Sequence, residues 1–243
     1  MSAAPCRCCS GLAPRQGRRA LLGGALALAA SAGLARAADP VPHSALTPDQ
    51  ALALLKQGND EFRAEAPYHA AIGRERRVEL ARGQAPFCVL VGCSDSRVSP
   101  ELLFGRGLGE LFIVRNAGNT VDTAALGSIE YGVGVLGCPL IVVLGHENCG
   151  AVAAALDVVQ NNARFPGVIG EMVQPILPAV LSVRQPTGAI ALDEAVIANA
   201  RRVALRLRTQ SPVIQGLLGQ GRVKVVAARY DLDDGDVAWF EDV

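Results

Sequence analysis

Four short apolar runs, separated by segments of helical character, constrain the fold of this chain more than any other feature of its sequence. The runs are rich in Val, Leu and Ile, as is typical of strands that are buried on both faces. They cover residues 87–92, 111–115, 140–145 and 223–230. Apolar strands that alternate with helices indicate an α/β fold, in which a mostly parallel four-stranded sheet carries helices on both faces. The acidic turn at 233–236 predicts a further short edge strand over 237–240.

Helices are predicted before and between these strands. Thr47 and Pro48 are typical of a helix start, because a threonine hydroxyl can cap the first turn and proline fits within it. This helix is expected to end before Pro67. Further helices are predicted over 74–82, 124–134, 150–159, 171–183 and 191–209. We therefore expect one domain over 47–243, preceded by a polar lead-in over 38–46.

Residues 1–37 have the pattern of an export signal and are not expected to form part of the fold. Arg18 and Arg19 belong to a basic region, an apolar run follows over 20–34, and residues 35–37 (ARA) match a cleavage site. The arginine pair resembles a twin-arginine signal, with a plain secretory signal as the alternative. We expect export to the periplasm and removal of this segment, which would leave a mature protein without a membrane span.

The charge balance argues against nucleic acid as a partner. The whole sequence has 23 basic and 23 acidic residues. The predicted signal holds five of the basic residues and no acidic one, so 18 basic and 23 acidic residues remain, a formal charge of −5. A domain of this charge, without a dominant basic patch, is not typical of proteins that bind nucleic acid.

Two of the predicted strands end in residues that suit zinc. Cys93 follows the strand over 87–92, and His146 and Cys149 follow the strand over 140–145. Ligands of open α/β sheets lie at the carboxyl ends of the strands, so we expect these three side chains to hold one Zn²⁺ per chain. Two thiolates and one imidazole suit this ion, and three protein ligands leave one tetrahedral position open, as in catalytic zinc sites.

A disulfide between Cys93 and Cys149 is the alternative, because exported proteins commonly contain disulfides. The neighbouring His146 favours the metal site over a simple covalent link. Cys88 and Cys138 are expected to be structural.

Asp95 and Arg97 lie two residues apart, so both can project to the same side of the loop that follows Cys93. An ordinary surface ion pair is the alternative, and such pairs stabilise little. Next to a metal ligand, Asp95 can instead accept a proton of the nucleophile, while Arg97 keeps the carboxylate ionised and turned away from the metal. Without that restraint Asp95 could become a fourth ligand and close the site. We therefore predict catalytic roles for both residues.

Four stretches of the sequence together resemble the β-class carbonic anhydrases. They are 93–100 (CSDSRVSP), 112–119 (FIVRNAGN), 128–131 (SIEY) and 145–150 (GHENCG). The resemblance extends over about 47–243, which would then be a β-carbonic anhydrase catalytic domain. It implies a zinc enzyme that interconverts carbon dioxide and bicarbonate, four parallel strands with an antiparallel edge strand, and a homodimer that often pairs into a homotetramer.

The resemblance also implies a set of substrate-binding residues. By match of position, Gln84 would hydrogen-bond the substrate across the dimer interface, and Gly150 would offer a backbone N–H near the metal. The apolar pocket would consist of Phe112, Ala117 and Tyr131.

One position departs from some bacterial members of the family. Those members hold a regulatory bicarbonate with a tryptophan where this chain has Leu90, together with an arginine and a tyrosine that Arg115 and Tyr230 would match. The leucine predicts that this regulatory site is absent here.

Two other functions are consistent with the same residues. Relatives hydrolyse carbon disulfide or carbonyl sulfide at such a zinc site, and a protein of this kind could also bind zinc or bicarbonate without catalysis. The presence of both Asp95 and Arg97 disfavours the non-catalytic alternative.

Overall fold

The sheet has the predicted topology. A computed structural model describes residues 43–243, so the predicted signal 1–37 and residues 38–42 of the lead-in lie outside the described residues. The strands of the described part are β1 (Cys88–Gly92), β2 (Leu111–Arg115), β3 (Leu140–His146), β4 (Lys224–Tyr230) and β5 (Val237–Phe240). Their order is β2-β1-β3-β4-β5; the first four are parallel, and β5 is antiparallel to β4. The predicted α/β class and antiparallel edge strand are confirmed.

Helices pack on both faces of this sheet. Within residues 43–243 they are α1 (Pro48–Arg63), α2 (Arg74–Leu80), α3 (Pro100–Leu103), α4 (Thr123–Gly134), α5 (Gly150–Asn161), α6 (Ile169–Val173), α7 (Leu177–Ser182), α8 (Leu192–Gln210) and α9 (Pro212–Gly219). Thr47 caps α1 as predicted, and its hydroxyl and the side chain of Gln50 form a reciprocal capping box. Among the described helices, none has the length and apolar character that crossing a membrane requires.

One predicted helix is wrong, and α9 is not among the predicted helices; prolines lie at both places. The segment 171–183 is not one helix: α6 and α7 are separated by the short 3-10 turn Gln174–Ile176. Pro175 and Pro178 fall in this segment, and neither has the backbone N–H that a continuous helix would use. The helix predicted over 191–209 is confirmed as α8, but a further helix, α9, begins directly after it at Pro212. The Ser211 hydroxyl accepts the Ile214 N–H at 3.2 Å and caps this new helix.

The core explains why the strand runs are continuously apolar. Every residue of β1 and β3 is buried, and their side chains alternate between the two faces of the sheet. One face packs against α4, α8 and α9, through residues such as Ile129, Val203 and Ile214. The opposite face packs against α1 and α3, through residues such as Leu55 and Leu103. The central strands are therefore held rigidly, and so are the residues at their ends.

The strand order creates a crevice at the carboxyl end of the sheet. After β1 the chain crosses to β2 on one side, whereas β3 lies on the other side of β1. The carboxyl ends of β1 and β3 are thus neighbours at the point where the connections diverge, which is where open α/β sheets bind ligands. Cys93 directly follows β1, and His146 is the last residue of β3.

Candidate metal centre

Three side chains that can bind a metal converge in this crevice. Their ligand atoms, the sulfurs of Cys93 and Cys149 and a ring nitrogen of His146, all lie within 4.8 Å of one another. The three residues are almost fully buried, with exposed fractions of 5%, 1% and 0%. The structure therefore brings together the three residues predicted from the sequence as zinc ligands.

One nitrogen of His146 lacks a hydrogen-bond partner. The Nδ1 atom lies 2.8 Å from the Glu147 carbonyl oxygen, which can only accept, so Nδ1 carries the ring proton. Nε2 is then left with a lone pair, and it is buried without a partner among the described residues. A buried polar atom of this kind is costly unless something binds it. A lone pair directed at two sulfurs fits a metal ion.

The two cysteines are free thiols, and their sulfurs are 4.0 Å apart, about twice the length of a disulfide bond. A hydrogen bond from Cys149 holds the pKa of Cys93 well below its ordinary value, and the same bond raises the pKa of Cys149. The two sulfurs are thus linked by a hydrogen bond through a thiol proton. Binding of a divalent cation would displace that proton and leave both sulfurs as thiolates.

A tight turn directs Cys149 back towards His146. Asn148 has φ = 51°, in the left-handed region that asparagine tolerates better than most residues. Cys149 then occupies the N-cap position of α5. The partial positive charge at the start of this helix favours the thiolate form of the cysteine.

Asp95 and Arg97 form a fork at the edge of the crevice. The Arg97 side chain donates two hydrogen bonds to the carboxylate, at 3.0 and 2.7 Å, and the Arg97 backbone N–H donates a third at 2.9 Å. These bonds hold the pKa of Asp95 far below its usual range. Asp95 Oδ2 lies 3.9 Å from His146 Nε2, so an ionised carboxylate is kept next to the three ligand atoms.

Arg115 holds the loop that carries both the candidate metal ligand Cys93 and the ion-pair residue Asp95. Its side chain donates to the backbone carbonyl oxygens of Cys93 at 2.8 Å and Asp95 at 2.6 Å. From the sequence, Arg115 is expected either to match a regulatory bicarbonate site or to be a structural ion-pair partner, and its bonds to backbone carbonyls are not predicted. A charged residue at the end of an apolar strand indicates that it has a specific hydrogen-bond or ion-pair partner, but the sequence pattern does not identify that partner.

The predicted pocket residues are divided between two regions of the chain. Ala117 begins the 3-10 turn Ala117–Asn119 next to Cys93, and Gly150 directly follows Cys149. Phe112 and Tyr131 lie at the β2 edge of the sheet, with their ring centroids 6.2 Å apart. Tyr131 is 46% exposed.

Gln84 lies far from the candidate metal centre of its own chain. It is exposed and precedes β1, whereas Cys93 follows β1. A strand of this length separates the two positions by roughly 17 Å. Any contact between Gln84 and a substrate at the crevice would have to involve the crevice of another copy of the chain.

Comparisons with known proteins agree with this geometry. A family model described as carbonic anhydrase matches residues 88–237, more than half of the chain. The carbonic anhydrase 2 of Mycobacterium tuberculosis is 42% identical over 181 residues, which cover 74% of this chain and 87% of that protein. The carbonic anhydrase of Pseudomonas aeruginosa is 37% identical over 166 residues, covering 65% and 74%.

Solved structures show the same fold. The β-carbonic anhydrase CafA of Aspergillus fumigatus superposes with a TM-score of 0.61 at 27% identity, covering 80% of this chain and 91% of that one. A tetrameric β-carbonic anhydrase from Sordaria macrospora gives a TM-score of 0.60 at 27% identity, with 67% and 84% covered. A matching family model, close curated relatives and a shared fold together show that this chain belongs to the β-class carbonic anhydrase family and is a carbonic anhydrase.

Proposed function

We propose that the protein catalyses the zinc-dependent, reversible hydration of carbon dioxide to bicarbonate and a proton. The observation that supports this most directly is the buried His146 nitrogen that has no partner and faces the sulfurs of Cys93 and Cys149. Next to it is a carboxylate that an arginine keeps ionised. A ligand set with one open position and a neighbouring base is what a hydration reaction requires.

Zinc would be held by Cys93, His146 and Cys149, and when bound it supplies a Lewis acid that makes water nucleophilic near neutral pH. The protein's own contribution is to hold the ligands. The Glu147 carbonyl fixes the tautomer of His146, and the rigid ends of β1 and β3 fix the separation of the two loops. Little rearrangement is then needed when the ion binds.

Asp95 is proposed to accept a hydrogen bond from the attacking water or hydroxide, and so to hold its lone pair towards the substrate. Arg97 keeps the carboxylate ionised, because its hydrogen bonds lower the pKa of Asp95. The Arg97 side chain also donates to the Asn148 carbonyl oxygen at 3.3 Å, so it links the loops after β1 and β3. The first N–H groups of α5, beginning at Gly150, can stabilise the negative charge of bicarbonate.

A first prediction concerns the metal. Cys149→Ser should reduce the zinc content of the purified protein from about one ion per chain to well below that, because a serine hydroxyl does not replace a thiolate. Elemental analysis after dialysis measures this. Cys138→Ser is the matched control: Cys138 is equally buried but lies outside the centre, so its zinc content should equal that of the wild type. Equal zinc in both variants would contradict the assignment of Cys149.

A second prediction concerns Asp95. Asp95→Asn should lower kcat/KM for carbon dioxide hydration by about 100-fold, because a neutral amide is a weaker hydrogen-bond acceptor than the carboxylate and orients the nucleophile less well. Stopped-flow measurement with a pH indicator gives the rate, and elemental analysis should show that zinc is retained. Asp157→Asn, on the surface of α5, should have the activity of the wild type. If Asp95→Asn is as active as Asp157→Asn, the role proposed for Asp95 is wrong.

We also propose that the protein forms a homodimer, which can pair into a tetramer as in the Sordaria macrospora structures. Strand β2 is at an edge of the sheet, and its first four residues are only partly buried. Nearby, Tyr131 on α4 and Val135, which directly follows α4, are 46% and 44% exposed. Exposed apolar side chains next to a sheet edge favour burial against a second copy. Such a dimer could bring Gln84 of one chain to the crevice of the other.

A third prediction tests this interface. Val135→Arg should shift the protein from dimer towards monomer at micromolar concentration, because it would bury an unpaired charge. Sedimentation velocity measures the change, and circular dichroism confirms that the variant is folded. Val168→Arg is the control, since Val168 is 73% exposed in a loop away from α4. If Val135→Arg and Val168→Arg both sediment with the mass of the wild-type oligomer, the interface must lie elsewhere.

We further propose that the protein is exported to the periplasm by the twin-arginine route. Residues 18 and 19 are both arginine, directly before the apolar run over 20–34. Export in the folded state would let zinc bind before the thiols meet an oxidising compartment.

A fourth prediction follows for a bacterial host. Replacing both Arg18 and Arg19 with lysine should leave the protein in the cytoplasm, as measured by fractionation and immunoblotting. Arg7→Lys keeps the same charge and lies outside the pair, so export should continue. Export that is unaffected by the double substitution would favour the plain secretory signal.

A further inference from the structure

A single residue, Gly118, connects the metal centre to a helix far along the chain. Its backbone N–H donates to Cys93 Sγ at 3.2 Å. Its carbonyl oxygen accepts a hydrogen bond at 2.9 Å from the side-chain amide of Asn199, on α8. The backbone N–H of Gly118 is thus bonded to a candidate metal ligand, and its carbonyl oxygen is bonded to a side chain of α8.

The backbone at this point has an uncommon conformation. Gly118 has φ = 66° and ψ = 27°, and the next residue, Asn119, has φ = 46°. A Cβ atom at position 118 would lie only 2.7 Å from Ile176 Cδ1 and 3.0 Å from Ala151 Cβ, and the positive φ is unfavourable for a residue with a side chain, so this position favours glycine. Glycine is free to adopt many conformations, so the direction of its N–H has to be fixed by contacts from outside the turn.

Asn199 is well placed to fix it. The residue is 1% exposed, and it lies on the side of α8 that is otherwise lined by small and apolar residues of the core. Burying an amide in such surroundings is unfavourable unless it is hydrogen-bonded. The bond to the Gly118 carbonyl holds the peptide group that follows the glycine, and so opposes backbone rotations that would turn the N–H away from the sulfur. Helix α8 itself packs against α7 and the central strands, so the anchor is rigid.

We propose that Asn199 is a positioning residue of the metal centre, which holds the Gly118 N–H on the Cys93 thiolate and thereby tunes the metal bound there. This inference rests on the proposed function, because it assumes that Cys93 is a zinc ligand. A hydrogen bond to a thiolate draws charge away from its sulfur. When the bond is lost, the thiolate donates more charge and its metal becomes a weaker Lewis acid.

The test compares Asn199→Leu with a matched variant elsewhere. Asn59 is also a buried asparagine, 3% exposed, and it bonds two backbone groups, the Gly235 carbonyl and the Val237 N–H. It lies on α1 and contacts the turn before β5 instead of the metal centre. Asn59→Leu therefore controls for the loss of a buried amide. Asn199→Ser is a second variant, because the shorter side chain cannot span the distance to Gly118 and removes the bond without adding bulk.

Three quantities are measured on the full mature protein. The first is the thiolate-to-metal charge-transfer band of the cobalt-substituted protein, the second is the zinc dissociation constant by competition with a chelator, and the third is the midpoint of the pH dependence of kcat. For both Asn199 variants we expect a charge-transfer band at longer wavelength, zinc binding weakened about 10-fold and a midpoint raised by about half a pH unit. Asn59→Leu should match the wild type in all three.

The outcomes separate this inference from the proposed function. If the wild type binds no zinc or cobalt, the proposed function fails and this inference fails with it. If the wild type binds zinc and is active, but the Asn199 variants have the band and the pH midpoint of Asn59→Leu, Asn199 has only a structural role and the inference alone is overturned.

Discussion

The arrangement of this protein depends on one buried group, the unprotonated nitrogen of His146. A desolvated lone pair without a partner costs about 1–3 kcal/mol, and the two neighbouring sulfurs are hydrogen-bonded to each other and not to this nitrogen. A divalent cation satisfies all three atoms at once, which makes metal binding and the stability of the crevice parts of the same free energy.

The parallel sheet explains why residues so distant in sequence meet. In a sheet with the order β2-β1-β3-β4, both neighbours of β1 run in its direction, so all the carboxyl ends lie at one edge. Hydrogen bonds along the whole of β1 and β3 fix the register of the two strands. The separation between Cys93 and His146 is then set by the spacing of adjacent strands and not by flexible loops. Such a scaffold can hold metal ligands in place before the ion arrives.

The part of this architecture that could be predicted is the part encoded locally. Continuous apolar runs identified the strands, and the residue types at their ends identified the convergence of Cys93, His146 and Cys149. The start of α9 at Pro212 was harder to predict. Ser211 and Pro212 are typical both of the end of one helix and of the start of the next, and only the tertiary packing of α9 decides between these two possibilities. Arg115 and Asn199 act through hydrogen bonds to backbone atoms of distant segments, and no spacing in the sequence indicates such a bond.

The position of Asp95 depends on a balance that Arg97 controls. Its carboxylate lies 3.9 Å from the His146 nitrogen, close enough that a small rotation would bring it to a metal held there. Three hydrogen bonds from Arg97 oppose that rotation. The arginine side chain is 52% exposed, so solvent screens its charge, and the geometry of the fork contributes more to the restraint than net attraction does. A planar guanidinium is therefore required at this position, since the single charge of a lysine could neutralise Asp95 without orienting it.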